Sequence, residues 1–237
     1  MEVALIVAGG KGLRLPGDTP KQFIEIAGLP VLMHTINAFR GYSPTIQILL
    51  VLPAIDVSRW EHLCHQYRFE VKITVVTGGA TRFDSVRNGL EKVSGAGEVA
   101  VHDGVRPLIT SEIIAASFEM ARKYRSAVAS VALKESIREM SGSISSASGN
   151  HVWQNSVSVD RGKFRLMQTP QTFDIQLLKS AYEAASGNTF TDDASVVESA
   201  GHAITLFEGS YENLKITTPE DLVVAEAMLK RRMRNVE

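Results

Sequence analysis

The chain has 237 residues, 44% of them hydrophobic and 22% charged, with a formal net charge of −1 at pH 7. That balance excludes a disordered or fibrous chain, and it leaves no electrostatic footprint for nucleic acid or a membrane surface. The single cysteine, Cys64, excludes an internal disulfide, and without a basic and apolar leader we expect a cytoplasmic protein.

The first predicted element is an apolar strand, Val3–Val7. It empties into Ala8-Gly9-Gly10-Lys11-Gly12-Leu13-Arg14, with Pro20-Lys21-Gln22 following. Glycines after a strand present backbone N–H groups with no side chains in the way, which suits close approach to phosphate. Lys11, Arg14 and Lys21 add positive charge, so the segment reads as a triphosphate cradle; a plain tight turn is the alternative. The pattern is neither G-x-x-x-x-G-K-[ST] nor G-x-G-x-x-G, which counts against a P-loop ATPase and a dinucleotide dehydrogenase. Pro16, Gly17, Asp18 and Pro20 predict an irregular loop, not an immediate helix.

Strands are predicted at Ile46–Val51, Val71–Val76, Val99–Val101 and Ala127–Leu133. Helices are predicted at Val31–Phe39, Val57–Tyr67, Thr81–Val93 and Ser111–Tyr124, the last with Ser111 as its cap. The alternation implies an α/β fold: a mostly parallel sheet with helices on both faces, and functional loops at the carboxyl ends of the strands.

Gly78-Gly79-Ala80-Thr81-Arg82-Phe83-Asp84-Ser85 is a second strand-to-glycine-to-helix junction, with N–H groups able to meet a base edge or an anion. A plain β–α turn capped by Thr81 is the alternative, and on this segment alone the simpler one. Val101-His102-Asp103-Gly104-Val105-Arg106-Pro107 puts an acid at a strand's end. It reads either as an acid beside a phosphate-bound Mg²⁺ or as an internal Asp103–Arg106 ion pair. His102 reads as a packed strand-end residue.

The alternation breaks at residues 134–163, whose centre runs Ser141-Gly142-Ser143-Ile144-Ser145-Ser146. Partly alternating flanks favour a projecting hairpin over a linker, and an isolated hairpin needs a partner to cover it. Gln168–Phe173 reads as a polar stretch of little core value. In the run from Thr191 to Ser195, Thr191 reads as a helix cap. Lys215, between Leu214 and Ile216, reads on its own as an exposed charge on a short strand. Thr218-Pro219-Glu220-Asp221 opens a final helix with a stripe of Leu222, Ala225, Met228 and Leu229, and its basic end, Lys230 to Arg234, reads as a solvated tail.

Taken together and in order, the glycine-rich loop with Pro20-Lys21-Gln22, Gly79 to Ser85, His102-Asp103-x-x-Arg106-Pro107, Thr169-Pro170-Gln171 and Asn213-x-Lys215-Ile216-Thr217-x-Pro219-Glu220-Asp221 resemble the 2-C-methyl-D-erythritol 4-phosphate cytidylyltransferases. The resemblance spans nearly the whole chain. It implies a single Rossmann-like nucleotidyltransferase domain over residues 1–237, with 134–163 as a projecting dimerisation arm, a homodimer, and transfer of CMP from CTP to a polyol phosphate, 2-C-methyl-D-erythritol 4-phosphate, with release of pyrophosphate. It assigns Arg14, Lys21 and Lys215 to the reacting phosphates. Ala8, Gly9, Gly10, Gly12, Gly79, Ala80, Ser85 and Asp103 fall to the nucleotide. Asp103, Arg106, Ser136, Arg161, Thr169 and Thr191 fall to the acceptor, with Ser136 and Arg161 reaching a neighbour's site. It further implies Mg²⁺ near Asp103, with Glu212 as a second acid. Gly104 and Val105 stand where most members carry alanines, Ser136 where threonine is frequent, and Gly9 where alanine is common. Gly9-Gly10 is more typical of the sister ribitol 5-phosphate enzymes, which remain the alternative in the same class. A non-catalytic nucleotide-binding module is the alternative of another class.

Overall fold

The computed structural model describes residues 1–9, 19–141, 144–145, 151–152 and 155–234, the two short internal pairs as backbone only. Gly10, Gly12 and Arg14 lie outside the described residues. In chain order the elements are β1 (Glu2–Val7), β2 (Glu25–Ile26), β3 (Leu29–Pro30), α1 (Val31–Tyr42), β4 (Gln47–Leu52), α2 (Ala54–Gln66), β5 (Thr74–Thr77) and α3 (Arg82–Glu91). Then come β6 (Glu98–Asp103), α4 (Ser111–Tyr124), β7 (Ser126–Ala132), β8 (Arg138–Met140), β9 (Ile144–Ser145), β10 (His151–Val152) and β11 (Ser156–Ser158). β12 (Arg165–Asp174), α5 (Ile175–Ala184), α6 (Asp193–Ser199), β13 (Leu206–Glu208) and α7 (Pro219–Arg234) complete the chain.

Seven strands form one sheet in the order β13-β7-β12-β6-β1-β4-β5. β1 pairs in parallel with β4 and β6, β4 with β5, and β7 with β13, whereas β12 runs antiparallel to both its neighbours. The two-residue period of a strand decides where each apolar residue goes. Val3 and Leu5 join the layer of α3, α5 and α6, while Ala4 and Ile6 join that of α1 and α4. Leu49 and Val51 on β4, against Ile48 and Leu50, divide the same way. Both faces are therefore covered, which is why these strands read as unbroken apolar runs. Chain order along the sheet reverses at β1, and in open α/β sheets such a switch leaves a crevice at the carboxyl ends.

Several expectations are corrected. β5 starts at Thr74, where its ladder with Leu49 begins, so Val71 and Ile73 pack against the core from the preceding loop. Thr110, not Ser111, flanks the start of α4, and it makes no side-chain cap bond there. Asp192, not Thr191, caps α6, its carboxylate accepting from the Ser195 N–H at 3.0 Å. The largest miss is Gln168–Phe173. It belongs to a ten-residue strand in the middle of the sheet and is buried along its length. Of its polar side chains, Gln168, Thr169 and Gln171 bond to Ser210, to Asp103 and to the start of α6, whereas the buried Thr172 Oγ1 has no partner among the described residues.

Within 134–163, β8 pairs antiparallel with β11 and β9 with β10, so the chain does fold back as a hairpin. Its β8–β11 strands are three residues each, and Met140 and Val157 are 45% and 58% exposed.

Candidate active site at the carboxyl ends of the strands

β1 ends at Val7, and the backbone leaves the sheet through Ala8 and Gly9. The Ala8 N–H still donates to the Val51 carbonyl at 3.0 Å. Gln22, buried in a short 3₁₀ turn at Lys21–Phe23, donates from Nε2 to the Ala8 carbonyl at 3.0 Å and so fixes where the loop departs. Lys21, next to it, donates from Nζ to the Ile216 carbonyl at 2.9 Å, which brings the first motif of the chain against one of the last.

The second glycine junction follows β5. Thr81 and Asp84 form a reciprocal capping box at the start of α3. Ser85 donates to the Thr81 carbonyl at 2.8 Å and accepts from the Gly79 N–H at 3.1 Å. A Cβ on Gly79 would stand 2.3 Å from the Asp84 Cβ, so a side chain at 79 would push this turn off the helix. Thr81 is thus a cap, as the plainer reading had it, and the turn also walls a cleft.

β6 delivers Asp103. Its own N–H donates to Thr169 Oγ1 at 3.0 Å, and its carboxylate Oδ2 meets Arg106 Nε and Lys215 Nζ, each at 3.1 Å. Burial alone would raise this carboxyl, but Lys215, Arg106 and Arg82 outweigh it and hold it well below the usual carboxylate range. The internal Asp103–Arg106 pair is therefore real, and Lys215 completes it. Arg106 also donates to the Asn213 carbonyl at 2.8 Å, anchoring the segment that carries Lys215. That segment is irregular rather than a strand. Asp221 accepts from the N–H groups of Thr217 and Thr218 at 2.7 and 2.8 Å, so the start of α7 pins it from the other side. Lys215 is 42% exposed at its side chain and turns to the acid, not outward from a sheet edge.

His102 is buried edge-on against Phe39, with ring centroids 5.1 Å apart. Burial lowers its pKa to about 3, which keeps the ring uncharged, and it faces the α1 layer on the opposite side of the strand from Asp103.

Two clefts open here. One, of about 230 Å³, is bounded by Ala8, Gly9, Lys21, Gly79, Ala80 and Ser85. The other, of about 240 Å³, is bounded by Arg106, Gln168, Thr169, Gln171 and Thr191. Asp103, Lys215 and Arg82 line both. The structure thus gathers the described ones among the assigned nucleotide residues on one side and most assigned acceptor residues on the other, with the acid and two cations between.

Ser136 and Arg161 line neither cleft. Both are exposed, and Arg161 donates to the Lys134 carbonyl within the hairpin. Glu212 also stands apart: its two oxygens take Arg231 and Arg232 at 2.6 and 2.8 Å, and these arginines hold its carboxyl below the ordinary value. The basic end of α7 is correspondingly not a free tail, since Arg232 also donates to the Leu108 carbonyl at 3.0 Å. Among the described residues no cluster of three or more His, Cys, Asp and Glu side chains could hold a metal ion. Both ion pairs of Asp103 fall on Oδ2, and Oδ1 takes part in neither. That fits a hard cation of the Mg²⁺ kind, which takes one carboxylate and draws its remaining ligands from phosphates and water.

Sequence reasoning missed Arg82, Gln168 and Gln171 as individual site residues. Arg82 carried a readable signal, being a cation in the first turn of a helix, where the dipole disfavours it. Gln168 and Gln171 were hidden by their polarity.

The 2-C-methyl-D-erythritol 4-phosphate cytidylyltransferase (IspD) family model matches residues 2–231. The enzyme of that name from Bacteroides thetaiotaomicron is 46% identical over 225 residues, covering 95% of this chain and 98% of its own. The one from Bacillus velezensis is 37% identical over 98% of this chain and 97% of its own. The crystal structure of the Thermus thermophilus enzyme superposes with a TM-score of 0.75 at 32% identity, over 97% of this chain and all of that one. A 4-diphosphocytidyl-2C-methyl-D-erythritol synthase from Anaerococcus prevotii gives 0.78 at 26% identity, over 97% of this chain and 98% of that one.

Proposed function

Since the chain belongs to the 2-C-methyl-D-erythritol 4-phosphate cytidylyltransferase family, we propose that its two clefts receive CTP and 2-C-methyl-D-erythritol 4-phosphate and that it joins them with release of pyrophosphate. The observation that carries this reading is the meeting of both clefts at Asp103, Lys215 and Arg82. A two-substrate phosphoryl transfer needs such a junction, because attacking oxygen and α-phosphorus must be brought together in line.

In the reaction a phosphate oxygen of the acceptor bonds to the α-phosphorus, and the bond from that phosphorus to the pyrophosphate oxygen breaks. A phosphate monoester with a second pKa near 6 is already largely dianionic at neutral pH. It needs no general base, and the buried, uncharged His102 is not asked to be one. Ala8, Gly9, Gly10 and Gly12 would cradle the triphosphate, and Gly79, Ala80 and Ser85 would meet the base. Arg14, Lys21 and Lys215 would neutralise charge on the reacting phosphates, and Arg106, Thr169 and Thr191 would hold the acceptor. Asp103 is the residue that would hold Mg²⁺, which when bound offsets phosphate charge; Glu212, committed to two arginines, is poorly disposed to assist.

The same reading makes 1–237 one nucleotidyltransferase domain working as a homodimer in the cytoplasm. Residues 134–163 would reach over a second copy so that Ser136 and Arg161 contact acceptor bound there. In support, Met140, Val157, Phe164 and Leu166 are 45–58% exposed on and beside the hairpin, apolar surface that a second copy would cover. No helix among the described residues is long and apolar enough to cross a membrane.

Pyrophosphate release from CTP, with the methylerythritol and ribitol phosphates offered separately, tests the assignment. Release with the former alone is expected. Equal rates would leave the acceptor assignment without support, and release with neither would leave the transfer itself without support.

A further inference from the structure

Arg82 is the first residue of α3, directly after the glycine junction, and its guanidinium forms part of the wall between the clefts. Its two terminal nitrogens donate to the two carboxylate oxygens of Asp193, at 3.1 and 2.6 Å. Asp193 is wholly buried at the start of α6 and also accepts from Tyr182 Oη at 2.7 Å. The Tyr182 ring in turn stacks on Phe83, the next residue of α3, at 4.6 Å. From the sheet, Gln171 Oε1 accepts the N–H groups of Asp193 and Ala194, both at 2.9 Å, while its Nε2 donates to Asp192 Oδ2 at 2.8 Å. One bidentate ion pair thereby links the turn that walls the first cleft to the turn, next to Thr191, that walls the second.

We propose that the Arg82–Asp193 pair is a positioning device that sets the separation of the nucleotide and acceptor subsites. The inference rests on the reading of the two clefts given above. Its logic is geometric: an error of about 1 Å between reacting groups can cost on the order of 100-fold in rate even when each substrate still binds. The fork matters more than the charge, because a lysine cannot grip both oxygens of Asp193.

The test compares Arg82→Lys, Arg82→Ala and Tyr182→Phe in steady-state pyrophosphate release, with both KM values and the melting temperature measured alongside. Arg82→Lys is expected to lower kcat at least about tenfold, close to the loss in Arg82→Ala, with each KM within roughly threefold of the parent. Tyr182→Phe removes one support of Asp193 and is expected to lower kcat roughly threefold with both KM values unchanged. A group serving only stability would lower the melting temperature and leave kcat of the folded fraction alone, and that result overturns the proposal. So does wild-type kcat in Arg82→Lys, which would make the residue a charge and nothing more. If the Arg82 variants do not fold, Tyr182→Phe decides: an unchanged kcat overturns the proposal and a lowered one upholds it. Failure of the parent chain to turn over would count against the assigned reaction, a result separate from either.

Discussion

The corner where β1 and β6 end and the hairpin at 134–163 are built on opposite physical terms. At the corner, Asp103 comes off a six-residue strand whose every position from Val99 onward is buried, and its carboxylate is held by two cations and its N–H by Thr169. The hairpin's β8–β11 pair has three residues a side, with Met140 and Val157 facing solvent. The first region's described contacts all lie within one chain; the second carries assigned acceptor residues that reach neither cleft of their own chain. The lesson is that buried contacts within one chain place the charge at the corner, whereas the exposed hairpin takes part in a site only under the proposal that a second copy covers it.

The contrast breaks first at Lys215 and Arg106. Both touch Asp103, yet Lys215 is 42% exposed and Arg106 only 9%. Lys215→Ala should lower kcat by roughly 100-fold, by analogy with single oxyanion donors, while barely moving the melting temperature. Lys21→Ala should behave similarly. Arg106→Ala strips a buried partner from Asp103 and the Asn213 carbonyl, and should cost about 3–5 kcal/mol in urea unfolding. Near-parent turnover in the lysine variants would remove them from the chemistry.

The hairpin is tested by complementation. Arg161→Ala and Lys215→Ala should each be poor enzymes alone, and a mixture should regain activity neither has, because a mixed dimer holds one site with an intact lysine and an intact arm. Val157→Asp should abolish the gain and halve the mass in light scattering. No gain on mixing would place Arg161 outside the site.

Most of the corner was legible in the sequence, for a physical reason. Val3–Val7 and Val99–Val101 are apolar runs covered on both faces, and Gly9, Gly79 and Asp103 stand where such strands stop. What was hidden depended on contacts across the chain. Gln171 looks like loop chemistry until α6 is placed against it, and Lys215 looks like an exposed charge until Asp103 stands 3.1 Å away. Thr191 and Asp192 are both acceptable caps as residue types, and it is Asp192 that makes the reciprocal box with Ser195 and takes the tie from Gln171.

Acid sharpens the comparison on the core side. His102 titrates at about 3 in the folded chain against an ordinary 6.5, so between those values the unfolded state binds the extra proton. Stability should therefore fall as pH falls through that window, by about 1.4 kcal/mol per pH unit. His34, also lowered by burial, adds in the same direction, and Asp103 adds below its ordinary value. Urea midpoints at neutral pH and at lower pH check this, and His102→Gln should flatten the slope. A readout separate from turnover belongs to Cys64, whose thiol burial pushes up to about 11. Near neutral pH it should alkylate roughly 100-fold more slowly than in the urea-unfolded chain.

One assay reaches the whole scheme: pyrophosphate formed from CTP by the purified chain with Mg²⁺, in the presence and absence of 2-C-methyl-D-erythritol 4-phosphate, beside Lys215→Ala at equal concentration. Formation that requires the acceptor and falls roughly 100-fold in the variant is expected. Pyrophosphate released without acceptor, or at the same rate from both proteins, would contradict a transfer carried out where the two clefts meet.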